Sequence, residues 1–171
     1  MLMEMRGEVR RGYFVRGLPG LQFATTEALE ALRRCNAAED DDALVLVNAC
    51  DPAYIYGWDV ELPEAAAEIA PLRVSRVPTN YVVLRRGQPV LALSGGGERI
   101  EARAGAAEET LRRGMRLFLE HVTAPGGLAS SPRRVVVHAW NGEPPLGGAA
   151  QPLLETLGFH REPPHMVWDG R

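Results

Sequence analysis

Gly7-Glu8-Val9-Arg10-Arg11-Gly12-Tyr13-Phe14-Val15-Arg16-Gly17-Leu18-Pro19-Gly20-Leu21-Gln22-Phe23-Ala24-Thr25 reads as two strands joined by a short turn. Glu8–Arg16 is rich in β-branched and aromatic residues, Gly17–Gly20 carries turn chemistry, and Leu21–Thr25 returns as the second strand. Strand alternation puts Val9, Arg11, Tyr13 and Val15 on one face and Arg10, Phe14 and Arg16 on the other. Two readings fit so many arginines. One is a hairpin whose charge protects an exposed edge from pairing. The other is a wing that contacts nucleic acid.

The chain has 171 residues, enough for one domain or for one domain with a fragment of another. A chain of this size buries roughly 70% of its unfolded surface, so a core needs no staples. A hydrophobic content of 46% and a charged content of 24% are those of a globular protein. No apolar run reaches bilayer-spanning length and the N-terminus lacks a signal-peptide apolar region, so the expected location is cytoplasmic, with no membrane partner. The net charge is −3, so any anion site is local. All 19 basic residues are arginine. The absence of lysine excludes a phosphate-binding loop ending in Gly-Lys, a Schiff-base lysine, a Ser-Lys dyad and a kinase. Cys35 and Cys50 are not at zinc-ligand spacing and read as reduced thiols, at least one of them buried.

Outward from the hairpin, Met1–Arg6 suits the last turn of a helix. Thr25 or Thr26 can cap a helix running to about Cys35, with Leu29 and Leu32 facing the core. Glu39–Asp42 is a solvated acidic linker. Ala43–Cys50 is a nearly continuous apolar run, the pattern of a strand buried on both faces. In Ala53–Pro78, Tyr54, Tyr56 and Trp58 alternate and form either a lid on the sheet or a stacking platform for bases, and Glu64–Ala70 can make a short helix. Thr79–Arg85, Pro89–Ser94 and Glu98–Arg103 form a meander, with turns at Arg86-Gly87-Gln88 and Gly95-Gly96-Gly97. The triple glycine joins strands and opens no helix, which separates it from a phosphate cradle. Ala106–Val122 is a helix with the stripe Leu111, Met115, Phe118, Leu119 and Val122. Arg134–Trp140 is a strand, Ala149–Leu157 a helix ended by Gly158, and His165–Trp168 a last strand. About seven or eight strands and three helices imply an α+β domain, a small antiparallel sheet or partly open β-barrel with helices packed on it.

No nucleophile elbow, zincin motif or deaminase signature occurs, and no metal site is assigned. The histidines are scattered. Asp59 and Glu61 lie beside Trp58, and Asp169 beside Trp168. A carboxylate against an aromatic wall suits pKa tuning or stabilisation of a developing cation, whereas an aspartate so near a chain end also suits a frayed terminus.

Gly7–Val15, Gly17-Leu18 and Gln22-Phe23-Ala24 closely resemble a segment near the C-terminus of bacterial large helicase-related (Lhr) proteins. Asp51-Pro52-Ala53 with Tyr56-Gly57, the hairpin within Tyr81–Leu93, and Leu154–Phe159 resemble later stretches of the same family more loosely. The acidic insert Glu39–Asp42 and the proline-rich tail depart from the family pattern. The resemblance implies the C-terminal accessory module of an ATP-dependent DNA repair helicase, with residues 1–26 as the end of a winged helix and residues 27–171 as a β-barrel-like α+β module; the family's C-terminal region of tandem winged helices and terminal barrel resembles a class of winged-helix DNA glycosylases. Some members remove uracil from DNA through a carboxylate of that C-terminal region. The implied partners are DNA, single-stranded or forked, and the other domains of a parent helicase. ATP and Mg2+ are implied for motor domains alone, and no cofactor for this chain. On that reading Arg10, Arg11, Tyr13, Arg16, Arg85 and Arg86 contact DNA, and Asp169 is the candidate catalytic carboxylate. Alternatives are a DNA glycosylase acting on uracil and a structural barrel that mediates homo-oligomerisation.

Overall fold

The structure, a computed structural model, describes residues 2–15, 20–37, 42–57, 72, 74–124 and 134–170. They fall into two compact units, residues 2–37 and residues 42–170.

In the first unit, α1 (Leu2–Met5) is a single turn. It ends in paired bonds from Glu8 N–H to the Met3 carbonyl (2.9 Å) and from Gly7 N–H to the Glu4 carbonyl (3.0 Å). Gly7, at φ +73°, supplies the left-handed residue that this helix ending requires. The hairpin follows as β1 (Arg10–Gly12) and β2 (Gln22–Ala24), antiparallel, with Arg10 opposite Ala24 and Arg11 opposite Phe23. Both strands are shorter than their sequence implies, and Gln22 gives the reason. Its Oε1 accepts from the N–H groups of Phe14 and Val15, both at 2.8 Å, and its Nε2 donates to the Val15 carbonyl at 3.0 Å. Backbone groups that would extend the ladder are satisfied by one side chain instead. In α2 (Thr26–Ala37) the cap is Thr25, whose Oγ1 accepts from Ala28 N–H at 3.1 Å. Leu29 is half-buried, but Leu32 is exposed rather than core-facing, and no described side chain of this unit is fully buried.

The second unit is built on a five-stranded sheet of order β3-β4-β5-β6-β8: β3 (Leu44–Asn48), β4 (Tyr81–Arg85), β5 (Gln88–Ser94), β6 (Arg99–Ala102) and β8 (Ala139–Trp140). The first four run as an antiparallel meander, and β8 adds parallel to β6. Arg86 (φ +52°) and Gly87 (φ +74°) make the tight turn between β4 and β5, both in the left-handed region that such hairpins need. β3 is an edge strand, not a strand buried on both faces. Val47 is buried but Val45 is 55% exposed, because among the described residues no strand pairs beyond β3. An apolar run alone does not distinguish the two positions.

α3 (Glu108–Thr123) lies against β3 and β5 through the expected stripe. Met115, Phe118 and Leu119 are buried, and Leu111 and Val122 pack at the margin of the same core. Gly114 allows the close approach, since a Cβ there would stand 2.8 Å from Leu91 Cδ1. A three-stranded sheet, β7 (Val135–Val137), β10 (His165–Trp168) and β9 (His160–Glu162), is antiparallel throughout. With α4 (Gln151–Thr156) it completes one core that joins Leu91, Ile100, Phe118, Leu154 and Met166. Ala49, Tyr54 and Val82 form a second, smaller core.

The fold is therefore α+β with open sheets, and among the described residues none closes into a barrel. Both cysteines are exposed, contrary to the expectation that one is buried. No described helix is long and apolar enough to cross a membrane. The Glu64–Ala70 helix, Arg16, Trp58, Asp59 and Glu61 lie outside the described residues.

Candidate nucleic-acid interface

The hairpin presents Arg10, Arg11 and Tyr13 together. Arg10 is exposed and has no ion pair among the described residues, and Tyr13 is 78% exposed. Arg11 Nε lies 3.0 Å from Glu4 Oε1, an exposed pair of the kind worth little in stability and readily exchanged for another anion. The loop that carries Tyr13 is held by the three Gln22 hydrogen bonds. Phe14 folds back on Gly12, where a Cβ would stand 2.8 Å from its ring. A short hairpin with cations, an exposed aromatic and a pinned loop can contact phosphates and stack on a base.

Arg85 and Arg86 sit on a different hairpin, in the second unit. Arg85 is engaged: its Nε donates to Asp42 Oδ1 at 2.5 Å, while Arg113 donates to Asp42 Oδ2 at 2.8 Å and to its carbonyl at 3.1 Å. The acidic linker thus ends in a two-arginine clamp rather than in free solvent. Hydrogen bonds from Arg113 first, then Arg85, hold the Asp42 carboxyl below its usual range.

Asp169 follows the buried end of β10 and is tied down. Its carboxylate lies 3.6 Å from Arg134 Nε and 3.6 Å from His160 Nε2, and its side chain is half-exposed. Arg134 also bonds Glu162, which lowers the Glu162 carboxyl and raises the guanidinium. Trp168 is 8% exposed and belongs to the core, so it offers no open stacking face. A carboxylate held beside an arginine and an imidazole can orient water or balance a developing positive charge.

The alternating aromatics are structural where they are described. Tyr54 is fully buried and donates to the Leu72 carbonyl at 3.0 Å. Tyr56 donates to the Gly87 carbonyl at 2.9 Å, and burial raises its hydroxyl pKa. They pack against the sheet as a lid, and no open platform forms at these two rings. The histidines are less scattered than the sequence suggests. The rings of His138 and His165 lie 4.2 Å apart, centroid to centroid, because the bend between β7 and β8 turns one toward the strand that carries the other. No sequence spacing announces that pair. Among the described residues, no group of three or more His, Cys, Asp or Glu side chains is placed to hold a metal ion. A cleft of about 590 Å3 lined by Trp140, Asn141, Glu143 and Leu153 also went unseen in the sequence. Its one local signal is the turn dipeptide Asn141-Gly142.

Residues 1–44 match the family model for the winged-helix domain of large helicase-related protein. The match takes in α1, the arginine hairpin and α2, and ends at the start of β3. Over this segment the chain is similar to a helicase-related winged helix. No curated protein matches the chain.

Proposed function

We propose that this chain is the C-terminal accessory part of an ATP-dependent DNA repair helicase of the Lhr type, and that it contacts single-stranded or forked DNA. The observation that carries this reading is the coincidence of the winged-helix match with a hairpin whose Arg10, Arg11 and Tyr13 stand open to solvent. The wing hairpin lays Arg10 and Arg11 along the phosphates, Arg16 is assigned to the same contact from the sequence, and Tyr13 stacks on a base. In the second unit, Arg85 and Arg86 are the residues this reading assigns to DNA. The exposed apolar side chains Met5 (84%) and Phe23 (54%) support packing against other domains of the parent protein or against a second copy. ATP and Mg2+ belong to the motor domains of such a helicase, and no residue of this chain is assigned to them.

The test is binding of a fluorescent single-stranded oligonucleotide across a salt series, with Arg10→Ala and Arg11→Ala combined. Each lost phosphate contact flattens the log–log salt slope by about 0.7, so the double variant flattens it by about 1.4 and weakens binding at low salt. An unchanged slope and affinity overturn the contact.

A second reading is base excision. It is favoured by the position of Asp169 between Arg134 and His160. In it, Asp169 orients water and stabilises an oxocarbenium-like sugar after uracil is extruded. Alkali-labile cleavage of a uracil-containing single strand by the parent, and none by Asp169→Asn, supports it. Equal cleavage by both removes Asp169 from the role.

A further inference from the structure

The turn between β4 and β5 and the start of α3 border a cleft of about 550 Å3, lined by Arg85, Arg86, Arg103, Ala107 and Thr110. Its arginines come from separate places: the end of β4, the β4–β5 turn and the residue that follows β6. Arg85 is held by Asp42, and that single carboxylate also serves Arg113. Arg103 is partly buried and its NH1 donates to Gln88 Oε1 at 2.8 Å, a neutral acceptor. It has no carboxylate partner among the described residues. Its guanidinium keeps N–H donors that an anion in the cleft can take up.

Three further features point the same way. Ala107 is the N-cap of α3 and offers no side-chain acceptor, so the first N–H groups of a sixteen-residue helix stay open beside the cleft. Thr110, in that first turn, lines the cleft and is only 7% exposed, and its hydroxyl has no hydrogen-bond partner among the described residues. The acidic residues of the turn do not cancel the field. Glu109 is paired with Arg112, and Glu108 lines the neighbouring cleft beside Trp140.

We propose that this cleft binds a phosphate group. Arg103 supplies a forked pair of N–H donors, the open N–H groups of α3 receive a second oxygen, and the Thr110 hydroxyl donates to a third. The phosphate comes either from a nucleic-acid backbone or from a free phosphate or mononucleotide. The proposal rests on the DNA reading only for the first of these sources.

The test is a 1H–15N NMR titration of the whole chain with sodium phosphate, against sodium chloride at matched ionic strength. The expected result is saturable movement of the Glu108, Glu109 and Thr110 amides and of the Arg103 Nε–H, specific to phosphate. Arg103→Gln weakens the response about tenfold or more, the loss of a charge-assisted pair of bonds. Thr110→Val, which keeps the shape of the side chain, weakens it several-fold while the remaining spectrum stays in place. Linear, non-saturating shifts, or an Arg103→Gln titration equal to the parent, overturn the site. A single-stranded oligonucleotide is then added. Displacement of phosphate from the same resonances assigns the backbone as the source, and saturation by phosphate alone assigns a free phosphate or nucleotide. The combined Arg10→Ala and Arg11→Ala variant separates the two proposals. Failure of the DNA reading leaves its phosphate titration intact, and failure of the cleft leaves oligonucleotide binding through the hairpin intact.

Discussion

Replacing Gly97 by alanine, beside the same change at Gly96, measures how tightly the β5–β6 turn is pressed into the core. Both glycines have positive φ, +100° at Gly97 and +70° at Gly96, so alanine meets backbone strain at either. That strain is about 1–2 kcal/mol. The surroundings differ. A Cβ at Gly96 meets nothing within 4 Å, whereas one at Gly97 stands 2.9 Å from Phe118 Cε1 and 2.9 Å from Val135 Cγ1. Phe118 is fully buried and Val135 is 4% exposed, so neither has free space to retreat into. Overpacking of that kind adds about 1–3 kcal/mol. Gly96→Ala should therefore cost about 1 kcal/mol and Gly97→Ala about 3 kcal/mol. Urea unfolding followed by tryptophan fluorescence reads the difference, with Trp140 and Trp168 in the core as reporters. At a slope of about 2 kcal/mol per molar, the two midpoints separate by about 1 M. If the two variants unfold at the same urea concentration, the turn is not wedged against Phe118 and the packing argument fails.

Leu154→Ala should cost about 2–5 kcal/mol, because Leu154 is fully buried where α4 meets the main core; a midpoint shift below that range means the site collapses around the deletion. Gln22→Ala removes all three bonds that pin residues 14 and 15, so amide exchange at Phe14 and Val15 should accelerate about tenfold or more while α3 is unaffected. Asp42, Glu155 and Glu162 all have lowered carboxyl pKa values, each through an arginine hydrogen bond, from ordinary values of 3.8, 4.5 and 4.5. The stability they contribute is complete above those ordinary values and is lost as pH falls through the lowered ones. Melting temperature should thus drop from pH 5 downward, and Glu155→Gln with Glu162→Gln should flatten that drop. High salt should flatten it as well, since every one of these pairs is exposed.

The meander and the long helix were legible because local chemistry and periodicity agree there. Arg86-Gly87 and Gly95-Gly96-Gly97 announce turns, and the stripe from Leu111 to Val122 gives the buried face of α3. The Ala43–Cys50 run misled because a doubly buried strand and an edge strand with apolar residues share one pattern. Val45 is exposed for a topological reason that no neighbouring residue encodes. The partition into separate sheets was invisible for the same cause. β8 joins β6 in parallel and β7 joins β10, across long separations in the chain. In the candidate interface, the openness of Arg10 and Tyr13 followed from the hairpin reading. The clamp on Asp42, the bracing of Asp169 and the arginine cleft did not, since each unites residues from distant segments.

The segment from Val135 to Trp140 has a mechanical consequence. Its first half pairs with β10 and its second half with β6, and at the bend His138 and Ala139 both donate to the Glu98 carbonyl, at 2.7 and 3.2 Å. One short run of backbone is thus shared by two sheets. Tension applied at the C-terminal strand shears β10 along β7 and then travels through this run into the five-stranded sheet, without crossing a loop. A load on the tail is borne by the body of the module, and the last strand resists peeling away alone.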